Sequence, residues 1–189
     1  MIADWSELIA EVVTRTGDGS IATRAEMLTG FAENDLNRRL RVGQMEIEDV
    51  IFTDDLGAGQ LPDDFLQMRR LMNGQNVLTG CTFSDLQSRP LGFSIIGNMV
   101  KTHVPNGELP VAYYAKLPPL ATCGTNWLLQ QAPELYLAAL QRQAYVAKLD
   151  VEKAQLADGV VMALVNDLQQ NDFAARYVGT AYTVEGPTP

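Results

Sequence analysis

The sequence is poor in the residues that build catalytic and metal centres. It has one histidine, His103, and two cysteines, Cys81 and Cys123, far apart and with no second pair. A lone histidine excludes a two-histidine metal site and leaves a Ser/His triad no spare candidate. Two isolated cysteines supply neither a disulfide framework nor a zinc spacing, and both read as buried thiols. His103, in Lys101-Thr102-His103-Val104-Pro105, reads as a structural or surface strand residue. Positive charge is scarce too: 14 Lys and Arg against 23 Asp and Glu leave a formal charge of −9. That balance argues against wrapping nucleic acid, because such binding draws its affinity from cations that displace counterions from phosphates. No apolar run approaches the roughly 18–20 residues that cross a bilayer. Residues 1–8 carry no basic n-region, so a cytosolic protein without signal or anchor is expected. A chain of 189 residues is long enough for one domain with a real core.

What is present is periodicity. Asp4 with Glu7 opens an amphipathic run of Trp5, Leu8, Ile9, Val12 and Val13 that ends before Gly17, the pattern of a capped helix. Thr23 with Glu26 repeats that spacing ahead of Leu28, Phe31, Ala32, Leu36 and Leu40, and Arg38, Arg39 and Arg41 place cations where the helix dipole favours them. From Glu46 the period shortens. Segments 47–53, 77–83, 93–96, 99–104 and 109–114 read as strands of a small antiparallel sheet, with Gly97-Asn98 as a hairpin turn and 84–88 as one helical turn. After Pro118-Pro119 the helical spacing returns. Residues 126–131 form a short helix, Pro133 opens a longer one to about Leu149, and Asp150 caps a last one along Ala157, Val160, Val161, Leu164, Val165 and Leu168. The expected fold is mainly α: a helical bundle of N-terminal helices (1–42) and C-terminal helices (118–172), with a β-rich insertion (43–117) and an extended tail (173–189) that a partner orders.

The search for chemistry returns structural readings. Residues 92–97, Gly-Phe-Ser-Ile-Ile-Gly, lack the spacing and the following helix of a nucleophile elbow. Asp54-Asp55 and Asp63-Asp64 are the densest carboxylate pairs, but they sit among Gly and Pro, where aspartate is a turn former. Gly57-Ala58-Gly59 is followed by Gln60-Leu61-Pro62 rather than by the lysine and helix of a phosphate loop. In an acidic chain Arg38, Arg39 and Arg41 are better suited to pairing within or between subunits than to DNA. Consecutive tyrosines on a strand point to opposite faces, so one of Tyr113 and Tyr114 is expected outward at a contact between subunits. No cofactor and no metal is expected.

Taken in order, several pieces resemble the tailed-phage head-to-tail adaptors, the connector or head-completion proteins of podovirus type. They are Phe31-Ala32-Glu33, Leu36-Asn37-Arg38-Arg39-Leu40-Arg41 with Met45, Leu61-Pro62-Asp63-Asp64-Phe65-Leu66 and Arg69-Arg70-Leu71. Residues 93–98, Tyr113-Tyr114 before Leu117-Pro118-Pro119-Leu120, Asn126-Trp127-Leu128-Leu129, and Pro133 to Leu137 continue the series. The resemblance covers roughly residues 26–168. It implies a structural protein and not an enzyme, a helical bundle with a β-rich insertion that forms a ring, twelve copies in such proteins, between portal and tail of a phage or prophage particle. Its partners would be the portal protein and the tail nozzle. DNA would pass through its channel without specific binding, and the protein would reside at the head–tail junction of the virion after a period in the host cytoplasm. In such adaptors the C-terminal segment reaches the portal, which assigns that contact to Phe173, Arg176, Tyr177 and Tyr182. Subunit contacts would fall to Arg38, Arg39, Arg41 and Tyr113. Two alternatives remain: a DNA-packaging accessory subunit that binds DNA through those arginines, and a metal-assisted hydrolase built on the four aspartates.

Overall fold

The computed structural model describes residues 2–176. Helix α1 (Trp5–Thr16) begins where the Asp4 carboxylate accepts the Glu7 N–H at 2.9 Å and Glu7 accepts the Ala3 N–H at 2.8 Å, a reciprocal cap. The pattern expected to cap one following helix does not do so. Thr23 turns its hydroxyl back to the Ser20 carbonyl, and the chain makes α2 (Ser20–Thr23) and, from Ala25, α3 (Ala25–Arg39). Beyond a 3₁₀ turn at Gly43–Met45 come β1 (Glu46–Phe52), β2 (Ala58–Gln60), β3 (Phe65–Asn73), β4 (Asn76–Val77), β5 (Thr79–Gly80), α4 (Phe83–Leu86), β6 (Gly92–Ile96), β7 (Met99–Thr102) and β8 (Glu108–Ala115). The chain ends in α5 (Leu120–Cys123), α6 (Trp127–Gln131), α7 (Pro133–Ala147) and α8 (Val151–Arg176).

The fold class expected from the sequence is overturned. Among the described residues 50% are helical and 23% lie in strands, and the strands form two four-stranded sheets, ordered β1-β8-β3-β4 and β2-β7-β6-β5. This is a mixed α/β fold with substantial sheets, not a mainly α bundle carrying a small insertion. Two strands hidden in the sequence account for much of the difference. β3 departs from strict alternation because its pairing with β8 slips between Phe65 and Gln67 and again between Met68 and Arg70. β2 is three residues of Ala, Gly and Gln with no strand propensity of its own. Segment 77–83, expected as one strand, is divided among β4, β5 and the start of α4, and β5 pairs with β6 in parallel. The hairpin at Gly97-Asn98 does form, with Ile96 opposite Met99 and Gly97 at φ 61°.

Contacts divide the chain into two units, Met1–Gly43 with Pro119–Pro189, and Gln44–Pro118. The second has its own core, in which Ile51, Leu71, Leu109, Val111 and Tyr113 of one sheet meet Leu61, Leu78 and Val100. In the first, α7 is central: it buries Leu135, Tyr136, Leu137, Ala138, Ala139, Leu140 and Ala144 and packs on α1, α3, α6 and α8. Between α7 and α8 the chain reverses through Leu149 at φ 60°, and Asp150 accepts the Lys153 N–H at 3.2 Å as the expected cap. α8 then buries Ala154, Val161 and Val165, whereas Val160, expected on the same stripe, is exposed.

Candidate functional site

One buried polar group of the helical unit joins several elements, and the sequence does not announce it. Glu33 on α3 is 7% exposed; its Oε1 accepts the Leu120 N–H at 2.8 Å and the Tyr136 hydroxyl at 3.4 Å. The Tyr136 oxygen accepts from Asn126 Nδ2 at 2.7 Å, and Asn126 Oδ1 caps α6 through the Leu129 N–H at 3.0 Å. Burial raises the Glu33 carboxyl above its ordinary value, with the hydrogen bonds opposing the shift. Burial also raises the Tyr136 hydroxyl strongly, so it stays a proton donor. Three of the spaced motif pieces, around Glu33, Asn126 and Tyr136, thus converge on one buried network. No nucleophile is among these partners, and their work is to hold α3, α5, α6 and α7 together.

The arginine cluster separates into three environments. Arg39 reaches Asp35 at 3.0 Å and Asp158 at 2.9 Å, and Arg142 reaches the same Asp158 at 2.8 Å and Asp35 at 3.6 Å, so four charges bind α3, α7 and α8 into a neutral clamp. Arg41 donates to the carbonyls of Asn37 and Leu40 at the C-terminal end of α3. Arg38 is exposed and, among the described residues, has no ion-pair partner.

Tyr113 and Tyr114 are consecutive on β8, yet neither stands exposed as expected. Tyr113 is 2% and Tyr114 7% exposed. The Tyr113 hydroxyl donates to Asp64 at 2.9 Å, its ring lies 5.7 Å from that of Phe65, and burial followed by the Asp64 carboxylate raises its pKa. Tyr114 is covered by the Arg69 guanidinium at 5.3 Å from the ring centre. Tyr113, expected at a subunit contact, therefore belongs to the core.

Phe173 and Arg176, expected in an extended tail, stand on the last turns of α8. Phe173 is 56% exposed, while Arg176 pairs with Asp172 at 2.8 Å and Asp172 accepts the Gly43 N–H at 2.8 Å. Tyr177 and Tyr182 lie outside the described residues, as does the rest of the expected tail.

The aspartate pairs serve turns and supports. Asp54 accepts the N–H groups of Leu56 at 2.9 Å and Ala58 at 2.8 Å, and Asp64 holds Tyr113. Among the described residues no group of three or more His, Cys, Asp or Glu could hold a metal ion. His103 donates from Nε2 to the Leu86 carbonyl at 2.6 Å. The cysteines are less buried than expected: Cys81 is half-buried and Cys123 exposed, both as free thiols. No helix of the described residues is long and apolar enough to cross a membrane.

The helical unit also presents apolar surface. On α3, Met27 and Phe31 are exposed, and on α8 so are Leu156 and Val160, each on the side away from the residues its helix buries. Comparison with known sequences bears on the use of such surfaces: the model of the family described as SU10 adaptor protein matches residues 3–183. No curated protein matches the chain.

Proposed function

The chain belongs to the SU10 adaptor protein family, and from that premise we propose that it assembles as a ring between the portal and the tail of a phage or prophage particle and extends the channel through which DNA passes. The family is one of structural phage adaptors, which is not an enzyme class, and its members are virion components that interact with portal and tail proteins and oligomerise. The observation that carries the reading is the family match across nearly the whole chain.

In this reading twelve copies close the ring, the portal protein binds one side and the tail nozzle the other, and the site of action is the head–tail junction. Closure by rotation needs two different complementary faces on each copy, and two helices with unpartnered apolar stripes supply candidates. The charge of −9 favours DNA sliding past without adhering, because carboxylates release no counterions from phosphate. Portal contact falls to the C-terminal segment, with Phe173, Arg176, Tyr177 and Tyr182 as its residues. The DNA-binding alternative is weakened by the arginines themselves, since Arg39 and Arg41 are engaged within the helical unit and Arg38 alone remains.

Mixing the purified chain with the portal protein encoded beside it tests the reading. A ring seated on the portal, seen by native mass spectrometry or electron microscopy, is the expected result. A folded chain that fails to bind the portal overturns it.

A further inference from the structure

Two helices of the first unit carry a line of exposed residues on the side opposite their buried stripe. On α3 the line is Met27, Phe31, Asn34 and Arg38, and on α8 it is Leu156, Val160, Ala163 and Asp167, all eight exposed. In both helices the members fall at a first residue and four, seven and eleven residues beyond it. Those alternating steps of four and three keep a line on one helix face and are the spacing by which two helices pack along a seam. The lines also match in kind. Each begins with two large apolar side chains, continues with a small or neutral one, and ends with a charge, positive on α3 and negative on α8.

The chain that leaves α3 follows α8. The Arg39 carbonyl accepts from Gln169 at 2.9 Å and the Gly43 N–H donates to Asp172 at 2.8 Å, so the segment that leaves α3, from Arg39 to Gly43, runs along α8 in the sense 169 to 172. A rotation about an axis along these helices leaves their directions unchanged. With α3 and α8 both along that axis in the same sense, α3 of one copy meets α8 of the next in parallel, which is the arrangement the seam below requires.

The geometry points to this contact as the seam of the ring: the exposed α3 line of one copy docks on the exposed α8 line of its neighbour, Met27 on Leu156, Phe31 on Val160, Asn34 on Ala163 and Arg38 on Asp167. The inference rests on the ring reading and supplies its two faces. Charge complementarity chooses the occupant. Arg38 has no ion-pair partner among the described residues, and Asp167 accepts only from Asn171, one turn along its own helix at 3.2 Å. Either line laid in parallel on its own kind would set two like charges together, which disfavours the symmetric alternative. Beside Met27 and Gly30 a cleft of about 580 Å³, also lined by Pro119 and Thr122, gives a neighbour's apolar side chain room to enter.

Cross-linking and charge reversal test the seam on the full chain assembled with its portal protein. With Cys81→Ser and Cys123→Ser as background, Phe31→Cys and Val160→Cys combined should give, on oxidation, a ladder of covalent multimers beyond the dimer. Either cysteine alone should give no ladder. Arg38→Asp and Asp167→Arg, both at exposed positions that leave folding intact by circular dichroism, should each raise the protein concentration needed for rings by about tenfold or more. The two reversals combined should restore assembly. Rings that form without a ladder, or that are indifferent to both reversals, overturn this seam while leaving the ring reading standing. A folded wild-type chain that forms no ring with the portal overturns both.

Discussion

A buried carboxylate with no cation beside it costs stability unless its oxygens are occupied, and Glu33 is placed to show how much its partners offset. Glu33→Ala leaves the Leu120 N–H and the Tyr136 hydroxyl without their acceptor, and a loss of about 1–3 kcal/mol is expected in urea unfolding. Glu33→Gln keeps an acceptor oxygen without the charge. Because burial raises the carboxyl above 4.5, the folded chain holds that proton more tightly than the unfolded chain. The favourable contribution is therefore full at pH below the unfolded value and declines as pH rises through the folded one. The wild type should lose ground to Glu33→Gln as pH rises above the ordinary carboxylate range; parallel stability curves would contradict the burial account. None of this was legible in the sequence. Glu33 stands beside the apolar stripe of Phe31, Ala32 and Leu36 in what reads as an amphipathic helix, and nothing in its spacing from Leu120, Asn126 or Tyr136 announces that the four meet. The arginine triplet was legible only as charge, since its division among clamp, cap and surface is set by where α7 and α8 place Asp158 and Arg142.

At the level of the element, capping made much of the helical part readable. Asp4, Asn126, Pro133 and Asp150 stand at the helix starts where their chemistry places them. The sheets were less readable, because the two slips in β3 carry its apolar residues out of alternation and β2, β4 and β5 are only two or three residues long. One element carries a visible cost. Leu149 holds a left-handed φ of 60° between α7 and α8 and is 86% exposed, so its side chain gives little packing in return. Leu149→Gly is expected to stabilise the chain by about 0.5–1 kcal/mol, measured as a higher urea midpoint with unchanged slope. The opposite holds between β2 and β7. Gly57 has φ 74°, and a Cβ there would lie 2.5 Å from the Thr102 carbonyl oxygen, a backbone atom that cannot turn away. Gly57→Ala should cost about 2–4 kcal/mol in the same measurement.

For the whole molecule, the division into two units with separate cores sets the expected response to damage. Leu71→Ala empties a fully buried site in the second unit and Leu140→Ala one in the first, and each should cost about 2–5 kcal/mol. The loss should lower the transition of the damaged unit more than that of the other. The end of α8 also decides where the chain is best shortened. Arg176, Asp172 and Gly43 are joined, so a chain cut after Arg176 should keep its thermal midpoint while losing attachment to the portal. Retained attachment would remove Tyr177 and Tyr182 from the portal contact. The same partition gives the protein an internal optical label. Its two tryptophans, Trp5 and Trp127, both belong to the unit built on α7, and the Trp5 indole donates to Thr29 at 2.9 Å. Indole emission on heating therefore reports the helical unit alone, while far-ultraviolet ellipticity sums both, and the lag between the two signals gives the order in which the units melt without any dye attached.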